Sequence, residues 1–269
     1  VQQACSSSSK TCVYIIIYED QSYSMGYFSH ERLTVTTTDI IDNFLFGCSQ
    51  SNKGYSGGVM GLGRHPISFV QQTSSKYKKI FSYCLPSRSN FIGHLTFGDE
   101  EIDDDNIKYT SFSSIVPGSS FYGINITMIT IGGTKLPASF GAGAIIDSGT
   151  MVTRLPPTVY YALRSAFQQS MSKYPATGKV SVFDTCYDVS RYKFIQLPVI
   201  EFVFADDVTV VIAGIGTVYV TKDKKACLAF TANKDDSDIT IFGNIQQRTL
   251  EVVYDVGGGR IGFGVAGCK

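Results

Sequence analysis

The chain has 269 residues, 43% of them hydrophobic and 13% aromatic, enough to bury the core of an ordered globular protein with two lobes of about 100–150 residues. Lys plus Arg and Asp plus Glu number 23 each, which excludes a net field steering the whole molecule onto nucleic acid or anionic lipid. No stretch reaches the roughly 18 apolar residues of a membrane-spanning helix. Short β-branched or aromatic runs bounded by Gly, Asp, Asn or Ser predict strands at 13–18, 32–37, 44–46 and 94–97, with a short helix at 67–77. Lys76, Lys78 and Lys79 form a dense basic run, read as the solvated end of that helix. The acidic stretch 99–105 and the loop 113–120, with Pro117-Gly118, mark a boundary between domains 1–115 and 116–269. Beyond it, strands are predicted at 122–131, 144–146, 199–204, 208–212, 218–220 and 250–254. Pro156-Pro157 opens the main predicted helix, with Val159, Leu163, Phe167 and Met171 at four-residue spacing. The balance of elements is all-β.

Seven cysteines point to disulfides and an oxidising compartment, and the odd count leaves at least one without a partner in this chain. The sequon Asn125-Ile126-Thr127 is compatible with secretion, although it falls inside a predicted strand. The chain opens at Val1-Gln2-Gln3 with neither an initiator Met nor a signal peptide, as a mature or cleaved product does. His30, His65 and His94 are scattered with no metal-ligand spacing, so no metal is expected. Gly257-Gly258-Gly259 lacks the Lys-Ser/Thr of a phosphate loop and reads as a hairpin turn; no cofactor is expected.

One segment carries chemistry. Ala144-Ile145-Ile146 is an apolar strand that ends in Asp147-Ser148-Gly149-Thr150 and returns to apolar Met151-Val152. Gly149 relieves the backbone of the turn, while the Ser148 and Thr150 hydroxyls and nearby N–H groups are placed to orient the Asp147 carboxylate. A loose echo links Val59-Met60-Gly61 with Ile241-Phe242-Gly243, each two apolar residues followed by a glycine.

Together these phrases resemble the pepsin superfamily of aspartic proteases. Asp147-Ser148-Gly149-Thr150 is similar to its second catalytic signature, and Val59-Met60-Gly61 and Ile241-Phe242-Gly243 to the segments that close the ψ-shaped loop behind each catalytic aspartate. The run 18–28 resembles the flap, with Tyr18 as flap tyrosine and Asp20 at its tip. Phe46-Gly47-Cys48, Gly61-Leu62-Gly63-Arg64, Phe81-Ser82-Tyr83-Cys84, Phe183-Asp184-Thr185-Cys186 and Ile245-Gln246-Gln247 are similar to phrases of the plant nepenthesin-like group, most of all the subgroup of a tobacco chloroplast-nucleoid DNA-binding aspartic protease.

The resemblance implies a bilobal pepsin-like fold with an incomplete N-terminal lobe, and an aspartic endopeptidase acting on extended peptides or proteins. It implies disulfides Cys186–Cys227 and Cys84–Cys268; Cys5 and Cys12 pair with each other or, like Cys48, with partners upstream. It also exposes what is absent. Pepsin-like catalysis needs two carboxylates sharing one proton, and this sequence holds a single Asp-Ser/Thr-Gly. The expectation is a truncated chain, inactive alone, that regains a peptide substrate only with its N-terminal segment supplied, as a disulfide-linked fragment or dimer. Glu19 and Gln21 stand where the family carries Gly and a small residue, which crowds or stiffens the flap. The alternative is a non-catalytic binding, inhibitor or storage protein of the same fold. Secretory-pathway location is expected, with the plastid as alternative, and neither nucleic-acid nor membrane partners.

Overall fold

Runs of β-branched and aromatic residues broken by Ser, Asn and Gly favour pleated, half-buried surfaces over helices, and the computed structural model is built almost wholly from strands. It describes residues 2–8, 11–18, 20–54, 57–88, 90–99, 102, 104–114, 120–137, 140–265 and 267–268. They form two units, Val1–Lys76 and Tyr77–Lys269.

In the first unit the strands Gln2–Cys5, Cys12–Ile17, Tyr23–Thr34 and Ile40–Lys53 form an antiparallel meander in chain order. On one face Tyr14 is buried, its hydroxyl 2.8 Å from Ser24 Oγ and its ring lying where a side chain at Gly47 would come within 2.6 Å. The strand register puts Val13, Tyr27 and Cys48 in one row on the opposite face, which stays open: Val13, Ile17, Met25, Tyr27 and Phe46 are exposed. The expected helix at 67–77 is two single turns, Phe69–Gln72 and Ser74–Tyr77. They meet at Thr73, whose hydroxyl donates back to Phe69 O at 2.8 Å. Gln72 ties the first turn to the longest strand, accepting from Leu45 N–H and donating to Leu45 O, both at 2.9 Å.

The second unit contains four sheets. One joins Ile80–Cys84, His94–Phe97 and Lys108–Ser111 to Glu251–Asp255 and Arg260–Gly264. That pairing holds residues from 80 onward in the second unit, and the units divide at 76/77; residues 115–119, where the boundary between 1–115 and 116–269 was expected, lie outside the described ones. The helix Pro157–Ser170 starts at its proline pair and buries Val159, Leu163 and Phe167, with Met171 just beyond it, as the spacing predicts. Phenylalanines fill the centre: Phe202 and Phe242 meet edge to face at 5.2 Å, and Phe204 stacks on Phe263 at 4.9 Å.

Three disulfides form, Cys5–Cys12, Cys84–Cys268 and Cys186–Cys227, and Cys48 is free. Two of them join residues directly opposite on paired strands, Cys5 with Cys12 and Cys186 with Cys227. The sequon asparagine, Asn125, is exposed in a break between the strands Tyr122–Ile124 and Ile126–Ile131. Among the described residues no helix is long and apolar enough to cross a membrane, and no three His, Cys, Asp or Glu are grouped to hold a metal ion.

Candidate active site

The Asp147 loop is shaped by the sheet it leaves and re-enters. Ala144–Ile146 is buried, parallel to Thr240–Phe242 and antiparallel to Tyr122–Ile124. After the loop, Thr153–Leu155 returns on the other side of Thr240–Phe242, with Arg154 opposite Ile241. The two arms of the loop therefore straddle the Ile241-Phe242 strand, and Gly243 passes beneath the loop. A Cβ on Gly243 would stand 2.6 Å from Val152 C and 2.8 Å from Thr153 N, so only glycine fits.

Asp147 sits at the end of the first arm, half-buried, its N–H donating to Phe242 O at 3.1 Å. Its carboxylate is held on both oxygens: Gly149 N–H donates to Oδ1 at 2.9 Å and Thr150 Oγ1 to Oδ2 at 2.7 Å. The donors are thus the Thr150 hydroxyl and, of the nearby N–H groups, that of Gly149, while the Ser148 hydroxyl acts on the Tyr83 phenol. Asn244 fastens the loop from below, its backbone N–H donating to Thr150 O at 2.8 Å and its side-chain amide to Ser148 O at 3.1 Å.

Behind the loop lie two buried glutamines, Gln246 and Gln247, to which the sequence resemblance assigned no role. Gln246 Oε1 accepts from Thr153 N at 3.1 Å and Thr153 Oγ1 at 2.6 Å; its Nε2 donates to Gly216 O at 2.6 Å and Ala229 O at 2.8 Å. Gln247 donates to Phe242 O at 2.8 Å, the same carbonyl that accepts Asp147 N–H, and accepts from Tyr83 OH. Burial drives the Tyr83 phenol far above its ordinary range; the Tyr254 and Ser148 hydroxyls oppose this, and the Asp147 charge adds to it. Tyr254, 3.1 Å from Tyr83, is raised by burial and then by Tyr83. Both phenols therefore remain protonated donors beneath the loop. Nothing in the polar stretch Asn244-Ile245-Gln246-Gln247-Arg248 marks these two amides as buried.

The first echo behaves differently. Val59 and Met60 are exposed and belong to no strand, and a Cβ on Gly61 would meet nothing. Among the described residues no aspartate loop straddles Val59-Met60-Gly61, the sequence containing one Asp-Ser-Gly.

The segment read as the flap is a hairpin between Cys12–Ile17 and Tyr23–Thr34. Tyr18 N–H donates to Ser22 O at 2.9 Å, and Gln21, with φ of 64°, makes the reversal. Asp20 Oδ1 accepts from Ser22 N–H at 2.9 Å and Ser22 Oγ at 2.6 Å, and these bonds, the hydroxyl's first, lower the Asp20 pKa from its ordinary value. Glu19 lies outside the described residues.

An all-β fold whose loop holds an aspartate across a glycine-ended strand defines a pepsin-like class of protein, and comparison with known proteins agrees. Residues 1–99 match the family described as Xylanase inhibitor N-terminal, and residues 121–265 the one described as Xylanase inhibitor C-terminal. The chain is 50% identical to an aspartyl protease family protein of Arabidopsis thaliana over 99% of its own length and 57% of that protein's. It is 45% identical to aspartyl protease AED1 of the same plant, covering 99% of the chain and 58% of the relative. With aspartic proteinase nepenthesin-1 of Nepenthes gracilis it shares 30% identity, over 99% of the chain and 64% of the relative. The chain belongs to the family described as Xylanase inhibitor C-terminal, which matches more than half of it, and it spans less than two thirds of the length of these aspartyl protease relatives. Among solved structures, soybean basic 7S globulin matches with a TM-score of 0.80 at 23% identity over 95% of this chain and 72% of that one. Lupine conglutin gamma gives 0.78 at 22%, over 97% and 76%. At such identity these matches speak for the fold alone.

Proposed function

We propose that this chain is part of an aspartic endopeptidase and supplies Asp147 as one of its two catalytic carboxylates. The carrying observation is the Asp147 loop, where Gly149 N–H and Thr150 Oγ1 each engage one carboxylate oxygen. A carboxylate oxygen accepts more than one hydrogen bond, so both retain lone pairs for a water and a facing acid. Two carboxyls about 3 Å apart hold one proton between them. One takes a proton from the attacking water while the other donates to the scissile carbonyl oxygen. The facing carboxyl has to come from a second Asp-Thr/Ser-Gly loop, which this sequence does not contain. We take it to lie on a further polypeptide segment, separate or linked, with Cys48 free to join it. The hairpin carrying Tyr18 and Asp20 would act as flap over an extended peptide with apolar side chains, at acidic pH, in the secretory pathway or the plastid.

The test is a fusion of this chain to the part of the 50% identical Arabidopsis relative that lies outside the match. The isolated chain should leave an acid-denatured protein uncut. The fusion should cut it, be stopped by pepstatin, and lose activity with Asp147→Asn. Cleavage surviving Asp147→Asn would overturn the assignment. A folded fusion with no acid cleavage would favour the second reading, a non-catalytic binding, inhibitor or storage protein, which draws on the single Asp-Ser-Gly.

A further inference from the structure

The equal totals of 23 basic and 23 acidic residues are not equal in space. The turn between strands Val218–Val220 and Lys225–Leu228 carries Lys222, Lys224 and Lys225, and the loop after Cys186–Asp188 carries Arg191 and Lys193. Strand pairing brings these to one end of one sheet: Asp188 lies opposite Lys225, and Val189 N–H donates to Lys224 O at 3.0 Å. Lys173, past the end of the long helix, joins them, because Tyr192 OH donates to Lys173 O at 3.3 Å and the Tyr174 and Tyr192 rings meet at 4.7 Å. All six cations but Lys225 are exposed.

Two carboxylates share the corner, Asp188 and Asp223. Asp188 is engaged locally, accepting from Ser190 N–H at 2.8 Å. Among the described residues none of the six cations forms an ion pair. Aromatic faces stand among them: Phe194 is 82% exposed and Tyr192 40%, with Lys193 Nζ 5.6 Å from the Phe194 ring centroid. Six cations against two carboxylates, with the charges of Arg191 and Lys225 acting on Asp188, leave an excess of positive charge beside exposed aromatic rings, which suits a polyanion with apolar faces.

We propose that this corner binds an acidic polysaccharide, a polyuronate, its carboxylates on the lysines and its sugar rings against Phe194 and Tyr192. Five of the six cations are lysines, compact point charges that can each meet a single carboxylate along a chain. Three disulfides favour an oxidising compartment, away from nucleic acids and from the anionic cytoplasmic leaflet. This site is independent of the proteolytic reading, and its test measures binding only.

The probe is polygalacturonate, compared with an uncharged dextran, double-stranded DNA and phosphatidylserine vesicles. Lys222→Glu, Lys224→Glu and Lys225→Glu together should weaken polygalacturonate binding about a hundredfold, at roughly fivefold per cation. Lys108→Glu, Lys135→Glu and Lys234→Glu change net charge equally elsewhere and should leave it within about twofold. Phe194→Ala should weaken it about fivefold without altering the salt dependence. Equal losses in both triple variants would overturn the proposal, as would tighter binding to DNA or vesicles than to polygalacturonate. In the unaltered chain, polygalacturonate should shield Lys222 and Lys224 from acetylation; unchanged labelling would refute the site whatever the variants' folding.

Discussion

At Gly243 the objection to any side chain is made by backbone atoms, Val152 C and Thr153 N, which cannot swing aside as a flexible side chain can. Gly243→Ala must move one arm of the Asp147 loop, at a cost of about 3 kcal/mol or more; denaturant titration should show it, and a loss under 1 kcal/mol would mean the arms are not closely apposed. Asp20 gives a prediction in pH. Its folded pKa lies below the ordinary value, so its bonds to Ser22 contribute stability that is fully present above the unfolded value, near 3.8, and disappears as pH falls through the folded one. Ser22→Ala should raise the Asp20 pKa toward 3.8 in an NMR titration; an unmoved titration would assign the shift to another cause. Asp147, Gly149 and Thr150 were legible as a site because a carboxylate before a glycine turn with a hydroxyl three residues on is a local pattern. Which of the nearby N–H groups would donate was not, since a backbone amide leaves no mark in sequence.

The five strands around the loop run Phe230–Ala232, Thr153–Leu155, Thr240–Phe242, Ala144–Ile146, Tyr122–Ile124, an order that mixes parallel and antiparallel pairs across more than a hundred residues of chain. Ala144–Ile146 itself could be read from its apolar run, and Pro157–Ser170 from its period. The order could not, because it depends on pairings between distant segments. The clamp holding it is Gln246, 1% exposed and bonded at both ends of its amide. Gln246→Leu keeps the bulk but leaves Thr153 N–H and the carbonyls of Gly216 and Ala229 without those partners, each worth about 1–3 kcal/mol when buried. We expect a loss above about 3 kcal/mol, with Asp147 NMR signals broadened. Near-native stability would show that water replaces the amide. At 69–77 the expected helix divides at Thr73, whose φ of −102° and ψ of 14° lie outside the helical range.

Over the whole molecule, cross-links and packing compete to explain stability, and the two disulfides of the larger unit separate them. Cys186–Cys227 closes 41 residues and Cys84–Cys268 closes 184. Loop entropy alone assigns them about 4 and about 5 kcal/mol, so Cys84–Cys268 should be the costlier to remove. Packing argues the reverse. Cys186 and Cys227 are both buried, in one cluster with Val152, Phe183 and Ile245, whereas of the other pair Cys84 is buried and Cys268 half-buried. Both pairs are to be replaced by alanine, which removes the tether but leaves a small apolar side chain, and compared by denaturant midpoint and slope. Entropy predicts a larger fall for the 84–268 pair with an increased slope, because the freed denatured chain exposes more surface. A larger fall for the 186–227 pair at constant slope would show that local packing dominates, and would identify this buried cluster as the part of this unit least able to lose a contact.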